Sequence, residues 1–135
     1  MMARGTSRDS VLSALLIAED KELARQLQAV LAESRVFDVL SELKSYPQVQ
    51  TLEIRLRQIQ PDVVLLDLGS NFQTAAQLIR AISAYQPPIQ VIGLSRTNDP
   101  SVLIDSLRAG ASEFLYAPFE APAQRAAAAR IRRLR

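Results

Sequence analysis

Three short polar groups in this chain each follow an apolar run, and together they carry carboxylates, a hydroxyl and a guanidinium. They are Glu19 with Asp20, Asp67 with Gly69, and Ser95 with Arg96. The chain contains no histidine and no cysteine, which excludes disulfides and thiol chemistry and removes the commonest metal ligand. Any metal site must therefore use oxygen ligands, and these favour Mg²⁺ or Ca²⁺.

The stretch of residues 61–69 predicts the strand around which the chain is organised. Its apolar run, residues 63–66, is short and unbroken, and Pro61 and Gly69 bound the stretch. Such a run is typical of a strand buried on both faces at the centre of a parallel sheet. Asp67 would then stand at the carboxyl end of that strand, where open α/β sheets place ligands and chemistry.

Strand and helix patterns alternate five times along the chain. The other predicted strands are residues 11–18, 36–40, 89–94 and 113–116, and the predicted helices include residues 21–34, 98–110 and 123–134. The apolar spacing predicts two buried helix faces, one of Leu103, Ile104 and Leu107 and one of Ala127, Ile131 and Leu134. Alternation of this kind predicts a parallel sheet with right-handed crossovers and helices on both faces.

Length and composition predict a single domain. The chain has 135 residues, of which 48% are hydrophobic, and this is enough for one core. We expect residues 1–10 to form a mobile N-terminal arm and residues 11–135 to form the domain. The net charge of +2 is too small to imply nucleic acid. No apolar segment approaches the roughly 20 residues that span a bilayer, so the sequence predicts a cytoplasmic protein.

The chain resembles the receiver domains of bacterial response regulators. Two stretches carry the resemblance, PDVVLLDL at residues 61–68 and LRAGASEFL at residues 107–115, and it extends over residues 11–134. It implies the flavodoxin-like, CheY-like α/β fold, a five-stranded parallel sheet of order 2-1-3-4-5 with helices on both faces. The resemblance also implies a signalling domain, not an enzyme.

The resemblance assigns roles to the polar groups at the strand ends. Asp67 matches the aspartate that accepts a phosphoryl group from the phosphohistidine of a kinase. Ser95 and Arg96 stand where they would contact that phosphoryl group. Mg²⁺ is the implied cofactor, bound weakly or not at all if the site is degenerate. Its implied ligands are Glu19, Asp20, Asp67 and the backbone carbonyl of Gly69, and metal and cation are needed to neutralise the charge of the reaction.

Several positions depart from the receiver pattern. Ala18 stands where the first acidic residue is usual, Ala117 replaces the lysine, and Arg96 replaces a small residue. Asn71 replaces a proline, and the Ala117–Pro118 bond is cis in the family pattern. These departures resemble the degenerate receiver domains at the amino end of CpaE/TadZ proteins, which help to localise and assemble pili. In those proteins an ATPase domain follows, and no Gly-rich phosphate loop occurs in these 135 residues.

Three functions remain open from the sequence. The first is a pseudo-receiver that acts through protein contacts, with pilus assembly as one setting. The second is a phosphorelay receiver that takes a phosphoryl group from a histidine kinase on Asp67. The third is a flavodoxin-like binder of a small molecule, which residues 18–22 disfavour because their acidic side chains repel phosphate.

The predicted contact surface lies on the last strand and the last helix. Phe114, Tyr116 and Phe119 lie near this face, which receivers use for a protein partner or a homodimer. The arginines of the last helix are interpreted as a solvated face, because only this one stretch is basic and no aromatic residues are interleaved. Nucleic acid is therefore not the expected partner.

Overall fold

The computed structural model describes residues 11–134, so the predicted mobile arm, residues 1–10, lies outside the described residues. The strands are β1 (Leu12–Ile17), β2 (Phe37–Leu43), β3 (Val63–Asp67), β4 (Gln90–Ser95) and β5 (Glu113–Tyr116). The helices are α1 (Lys21–Ser34), α2 (Val49–Ile59), α3 (Phe72–Ser83), α4 (Pro100–Ala109) and α5 (Ala121–Arg133). Within residues 11–134 no helix has the length and hydropathy needed to cross a membrane.

The five strands form one parallel sheet of order β2-β1-β3-β4-β5, which confirms the predicted fold. Every residue of β3 is buried, as expected for a central strand with helices on both sides. Alternate residues of β3 belong to two separate core clusters: Val63 and Leu65 pack in the cluster that includes α1 and α5, and Val64 and Leu66 in the one that includes α2 and α3. Asp67 ends β3 at the carboxyl edge of the sheet.

Two of the predicted buried faces were wrong in part. Ile104 and Leu107 are 46% and 45% exposed, and Leu134 is 62% exposed. Helix α4 instead turns the small, fully buried Ser106 inward, because it packs at the margin of the sheet beside the short strand β5. Leu134 lies just beyond the end of α5, so it does not share the buried side of that helix.

Strand β2 is longer than the sequence predicted. It runs to Leu43 and inserts one extra residue opposite β1: Val39 pairs with Ala14, and Ser41 pairs with Leu15. The skipped residue, Leu40, is 48% exposed at this irregularity. Pairing then continues to the carboxyl edge, where it brings the loop after β2 beside the loop after β1.

Candidate functional site

The side chain of Asp67 is fully buried and is surrounded by hydrogen-bond donors of the protein itself. Its Oδ2 accepts from the backbone N–H groups of Glu19 (3.2 Å) and Asp20 (3.1 Å) and from the Ser70 hydroxyl (2.6 Å). Its Oδ1 accepts from the backbone N–H groups of Gly69 (2.9 Å) and Ser70 (3.3 Å). Five donors therefore surround a single carboxylate, which has about four lone-pair sites, so its acceptor capacity is filled.

The sheet register explains why two loops converge on this carboxylate. Strands β1 and β3 are neighbours, and Ile17 pairs with Leu66, so both strands end at the same level. The chain leaving β1 therefore turns over the end of β3 and directs its N–H groups at Asp67. The chain leaving β3 folds back on the same side chain through Gly69 and Ser70.

The carboxylate of Asp20 is also engaged at both oxygens. Its Oδ1 accepts from the N–H groups of Glu22 (3.0 Å) and Leu23 (3.1 Å), so Asp20 is the N-cap of α1. The Arg96 guanidinium donates to both oxygens of Asp20, with Nε–Oδ2 at 2.6 Å and Nη2–Oδ1 at 2.8 Å. These bonds to Arg96 lower the pKa of the Asp20 carboxyl below its ordinary value. The pair joins the loop after β1 to the loop after β4.

Tyr46, in the loop after β2, is a site residue that the sequence reasoning missed. Its hydroxyl donates to the backbone carbonyl of Asp67 at 2.6 Å, and its backbone N–H donates to Oε2 of Glu19 at 3.1 Å. Burial raises the pKa of the Tyr46 phenol, and the negative charge of Asp67 raises it further. The one available signal was position, since a loop that follows a parallel strand lies at the same edge as Asp67.

The remaining predicted residues lie at the same edge with different partners. Ser95, the last residue of β4, is buried, and its hydroxyl accepts from the N–H of Thr97 at 3.1 Å. Ala117, directly after β5, brings a methyl group and no charge to this edge. Ser70 was not predicted, and its hydroxyl makes the shortest bond to the buried carboxylate. The strand order thus brings the predicted residues together without directing their side chains at one point.

This arrangement does not fit a divalent cation. Residues 11–134 contain no group of three or more carboxylate or other metal-binding side chains placed to hold a metal ion. Of the predicted ligands, Asp67 is surrounded by donors, Asp20 holds Arg96, and Glu19 accepts from the backbone of Tyr46. The N–H of Gly69 faces the carboxylate of Asp67. At Asp67, Asp20 and Glu19 a cation would have to displace these partners, because N–H and guanidinium donors occupy carboxylate oxygens that it needs.

The predicted contact surface is partly corrected. Phe119 is fully buried, so its prediction as a surface residue was wrong. The amide of the fully buried Gln124 donates to the Phe119 carbonyl at 2.8 Å and holds the turn that directs the ring into the core. Tyr116 is 45% exposed, and its ring centroid lies 6.3 Å from that of the half-buried Phe114. We give the name α4–β5 patch to the exposed side chains Ile104 and Leu107 of α4 and Tyr116 of β5, two elements that contact each other.

The sequence model of the response regulator receiver domain matches residues 15–129. The chain belongs to this family. Receiver domains are signalling modules that contact other proteins such as kinases, and they commonly bind Mg²⁺. The cis Ala117–Pro118 bond, implied by the resemblance, is present.

Two related proteins support the family assignment. The chemotaxis protein CheY of Listeria monocytogenes is 24% identical over 107 residues, which cover 79% of this receiver domain and 87% of CheY. A response regulator from Thermotoga maritima superposes with a TM-score of 0.72 at 23% identity, over 91% of this chain and 98% of that one. These likenesses support the CheY-like fold.

Two further solved structures share this fold. A protein of Burkholderia thailandensis assigned to pilus assembly (cpaE) superposes with a TM-score of 0.71 at 19% identity, over 90% of this receiver domain and 98% of that chain. A CheY-like protein (tadZ) of Pseudomonas aeruginosa gives 0.72 at 19% identity, over 88% and 91%. At this identity the likeness establishes the shared fold.

Proposed function

We propose that this receiver domain acts through protein contacts and does not use a phosphoryl switch. The observation that carries the proposal is the enclosure of Asp67: a fully buried carboxylate whose oxygens accept five hydrogen bonds from the protein. A carboxylate that attacks phosphorus needs a free lone pair and a cation to neutralise the product. Here the lone pairs are engaged, and Ala117 supplies no cation.

The α4–β5 patch is the contact surface of this proposal. Exposed apolar side chains grouped on neighbouring elements mark sites of protein contact more often than isolated ones do. Ile104 and Leu107 are one turn apart on α4, and α4 packs against β5, which carries Tyr116. Phe114 supports the patch from the half-buried side.

Pilus assembly or localisation is the proposed setting. The support is the structural likeness to the cpaE and tadZ proteins, together with the departures from the receiver pattern at Ala18, Arg96 and Ala117. The cytoplasmic location predicted from the sequence stays a prediction within this proposal.

A second candidate function is a phosphorelay receiver. Asp67 ends the central strand, a buried Ser95 hydroxyl ends the neighbouring strand, and a CheY protein is among the relatives. A histidine kinase would then donate the phosphoryl group to Asp67, with Ser95 and Arg96 in contact with it. The set of Glu19, Asp20, Asp67 and Gly69 would hold Mg²⁺ only after the present hydrogen bonds had rearranged.

Intact-mass measurement after incubation with acetyl phosphate and Mg²⁺ separates the two candidates. We expect no phosphoryl adduct on the wild-type chain, because Asp67 is enclosed. The CheY protein of L. monocytogenes, treated in the same way, serves as the positive control for the donor. An adduct on the wild type that is absent from Asp67→Asn would contradict the proposal and establish the phosphorelay function.

Sedimentation velocity over a range of concentrations tests the patch with a second copy of the chain as its first partner. We expect Ile104→Lys to weaken self-association. Ile54→Lys is the matched control, because Ile54 is also a helical isoleucine and is 50% exposed, on α2 and away from the patch. Equal effects of both substitutions would show that the α4–β5 patch is not the self-contact surface.

A further inference from the structure

The edge of the sheet that fits a divalent cation poorly carries a cationic side chain of its own, Arg96. We propose that the Arg96 guanidinium is the resident cation of the edge, that it takes the place of Mg²⁺, and that its bond to Asp20 ties the loops after β1 and β4 together. This inference rests on the proposed function and deepens it, because it explains how the acidic edge is stable without metal or phosphate.

The geometry of the pair supports this role. Both Arg96 contacts to Asp20 are short, at 2.6 and 2.8 Å, and they use two different nitrogens on two different oxygens. A planar guanidinium matches a carboxylate in this two-point arrangement, which fixes orientation as well as charge. Strands β1 and β4 flank β3 on opposite sides, so the pair bridges the end of the strand that carries Asp67.

The position of the positive charge points the same way. Arg96 brings its guanidinium directly to a carboxylate of this edge. Lys21 and Lys44 line a different cleft, between α1 and β2, and Ala117 contributes no charge. Arg96 therefore balances the charge of Asp20, one of the carboxylates that the resemblance assigns to Mg²⁺.

The pair also competes with any external cation. Asp20 can ligate Mg²⁺ only after its oxygens are released, so the apparent affinity falls by the fraction of time that the pair is open. Because the Arg96 side chain is 52% exposed, the pair resembles a strong surface ion pair. A pair of this kind is expected to weaken Mg²⁺ binding by up to about fivefold.

The test is an Mg²⁺ titration without any phosphate donor, followed through the backbone amide resonances of Glu19, Asp20 and Gly69. For the wild type we expect no saturable shift at millimolar Mg²⁺. For Arg96→Ala we expect a saturable shift at these amides, with an apparent Kd up to about fivefold below any wild-type value. If Arg96→Ala does not fold, Arg96→Gln takes its place, since it keeps most of the length of the side chain.

Arg130→Ala is the matched control. Arg130 makes an equivalent two-point pair with Glu113, at 2.8 Å for both contacts, and its side chain is also 52% exposed, but it lies on α5. We expect this variant to respond to Mg²⁺ as the wild type does. Equal Mg²⁺ affinity in the wild type and Arg96→Ala, or no binding by either, would overturn the inference.

The outcome separates the inference from the proposed function. A wild-type chain that takes up phosphate while Arg96→Ala gains Mg²⁺ affinity would refute the proposed function and leave Arg96 as the resident cation. A wild-type chain that resists phosphorylation but binds Mg²⁺ as tightly as Arg96→Ala would refute the role of Arg96 as resident cation and leave the proposed function standing.

Discussion

Replacing Asp67 by asparagine should destabilise this protein. The direction of the change in stability distinguishes a carboxylate surrounded by donors from one crowded by other carboxylates. The asparagine side chain would be nearly the same size, but one carboxylate oxygen would become an NH₂ group, which donates and does not accept. In a cluster of crowded carboxylates, loss of one charge relieves repulsion and is stabilising. At Asp67 the neighbours are donors, so the same change removes acceptors that the fold uses.

The magnitude follows from the number of donors left without a partner. In either orientation of the new amide, two backbone N–H groups face NH₂: those of Glu19 and Asp20, or those of Gly69 and Ser70. A buried donor without a partner costs on the order of 1–2 kcal/mol. We therefore expect a loss of about 2–4 kcal/mol, and a fall in Tm of roughly 10 °C.

Urea unfolding followed by far-ultraviolet circular dichroism measures this loss, since the chain has no tryptophan. The dependence on urea should keep its slope, which shows that only stability has changed. Asp105→Asn is the control, because Asp105 is exposed on α4 and its replacement should change stability by no more than about 0.5 kcal/mol. An Asp67→Asn variant as stable as the wild type, or more stable, would refute the reading of Asp67 as a saturated acceptor.

Three further substitutions test neighbouring contacts. Arg96 lowers the folded-state pKa of Asp20. The stability that this pair contributes is therefore present above the ordinary value of 3.8 and is lost as pH falls through the folded pKa. In acid unfolding, Asp20→Asn should lose less stability over that pH range than the wild type. Burial raises the pKa of the Tyr46 phenol, so the stability of the wild type should fall as pH rises above the ordinary phenol pKa of 10.0. Tyr46→Phe should not show this fall in alkaline unfolding. At neutral pH it should lose about 1 kcal/mol, because the hydrogen bond to the Asp67 carbonyl is removed. Gly93→Ala would place a Cβ 2.7 Å from Cδ1 of Leu68, and urea unfolding should show a loss of about 1–3 kcal/mol of stability. The loss should be smaller when Leu68 is also replaced by alanine. Equal losses with and without Leu68→Ala would contradict the contact.

Much of the fold could be predicted from the sequence because its apolar runs have only one consistent arrangement. The run at residues 63–66 is apolar at every position, and a strand of this kind must be covered on both faces. The sequence pattern also predicted the bounds of α1, and the structure shows that Asp20 caps its first turn. The face of α4 was mispredicted because periodicity identifies an apolar stripe but not how much of it a neighbouring element covers.

The site was predictable only to the level of which residues share an edge. Strand order alone brings Asp67, Glu19, Asp20, Ser95 and Arg96 to one end of the sheet. Their partners depend on loop conformation: the turn after β1 aims backbone N–H groups at Asp67, and no residue type in that turn indicates this. Ser70 and Tyr46 were missed for the same reason, since a serine and a tyrosine in loops carry no periodic signal.

The enclosure of Asp67 and the pairing of Asp20 with Arg96 have a common consequence. A two-state switch needs a group whose contacts differ between the states, so that a ligand binding there can shift the equilibrium. At this edge the carboxylates of Asp67 and Asp20 already have fixed donors within the chain, and their charge is balanced by N–H groups or by a guanidinium. With that charge already compensated, the loops have little to bias them toward a second arrangement. A domain built in this way would present the α4–β5 patch continuously, and control of its output would then come from the amount or location of the protein.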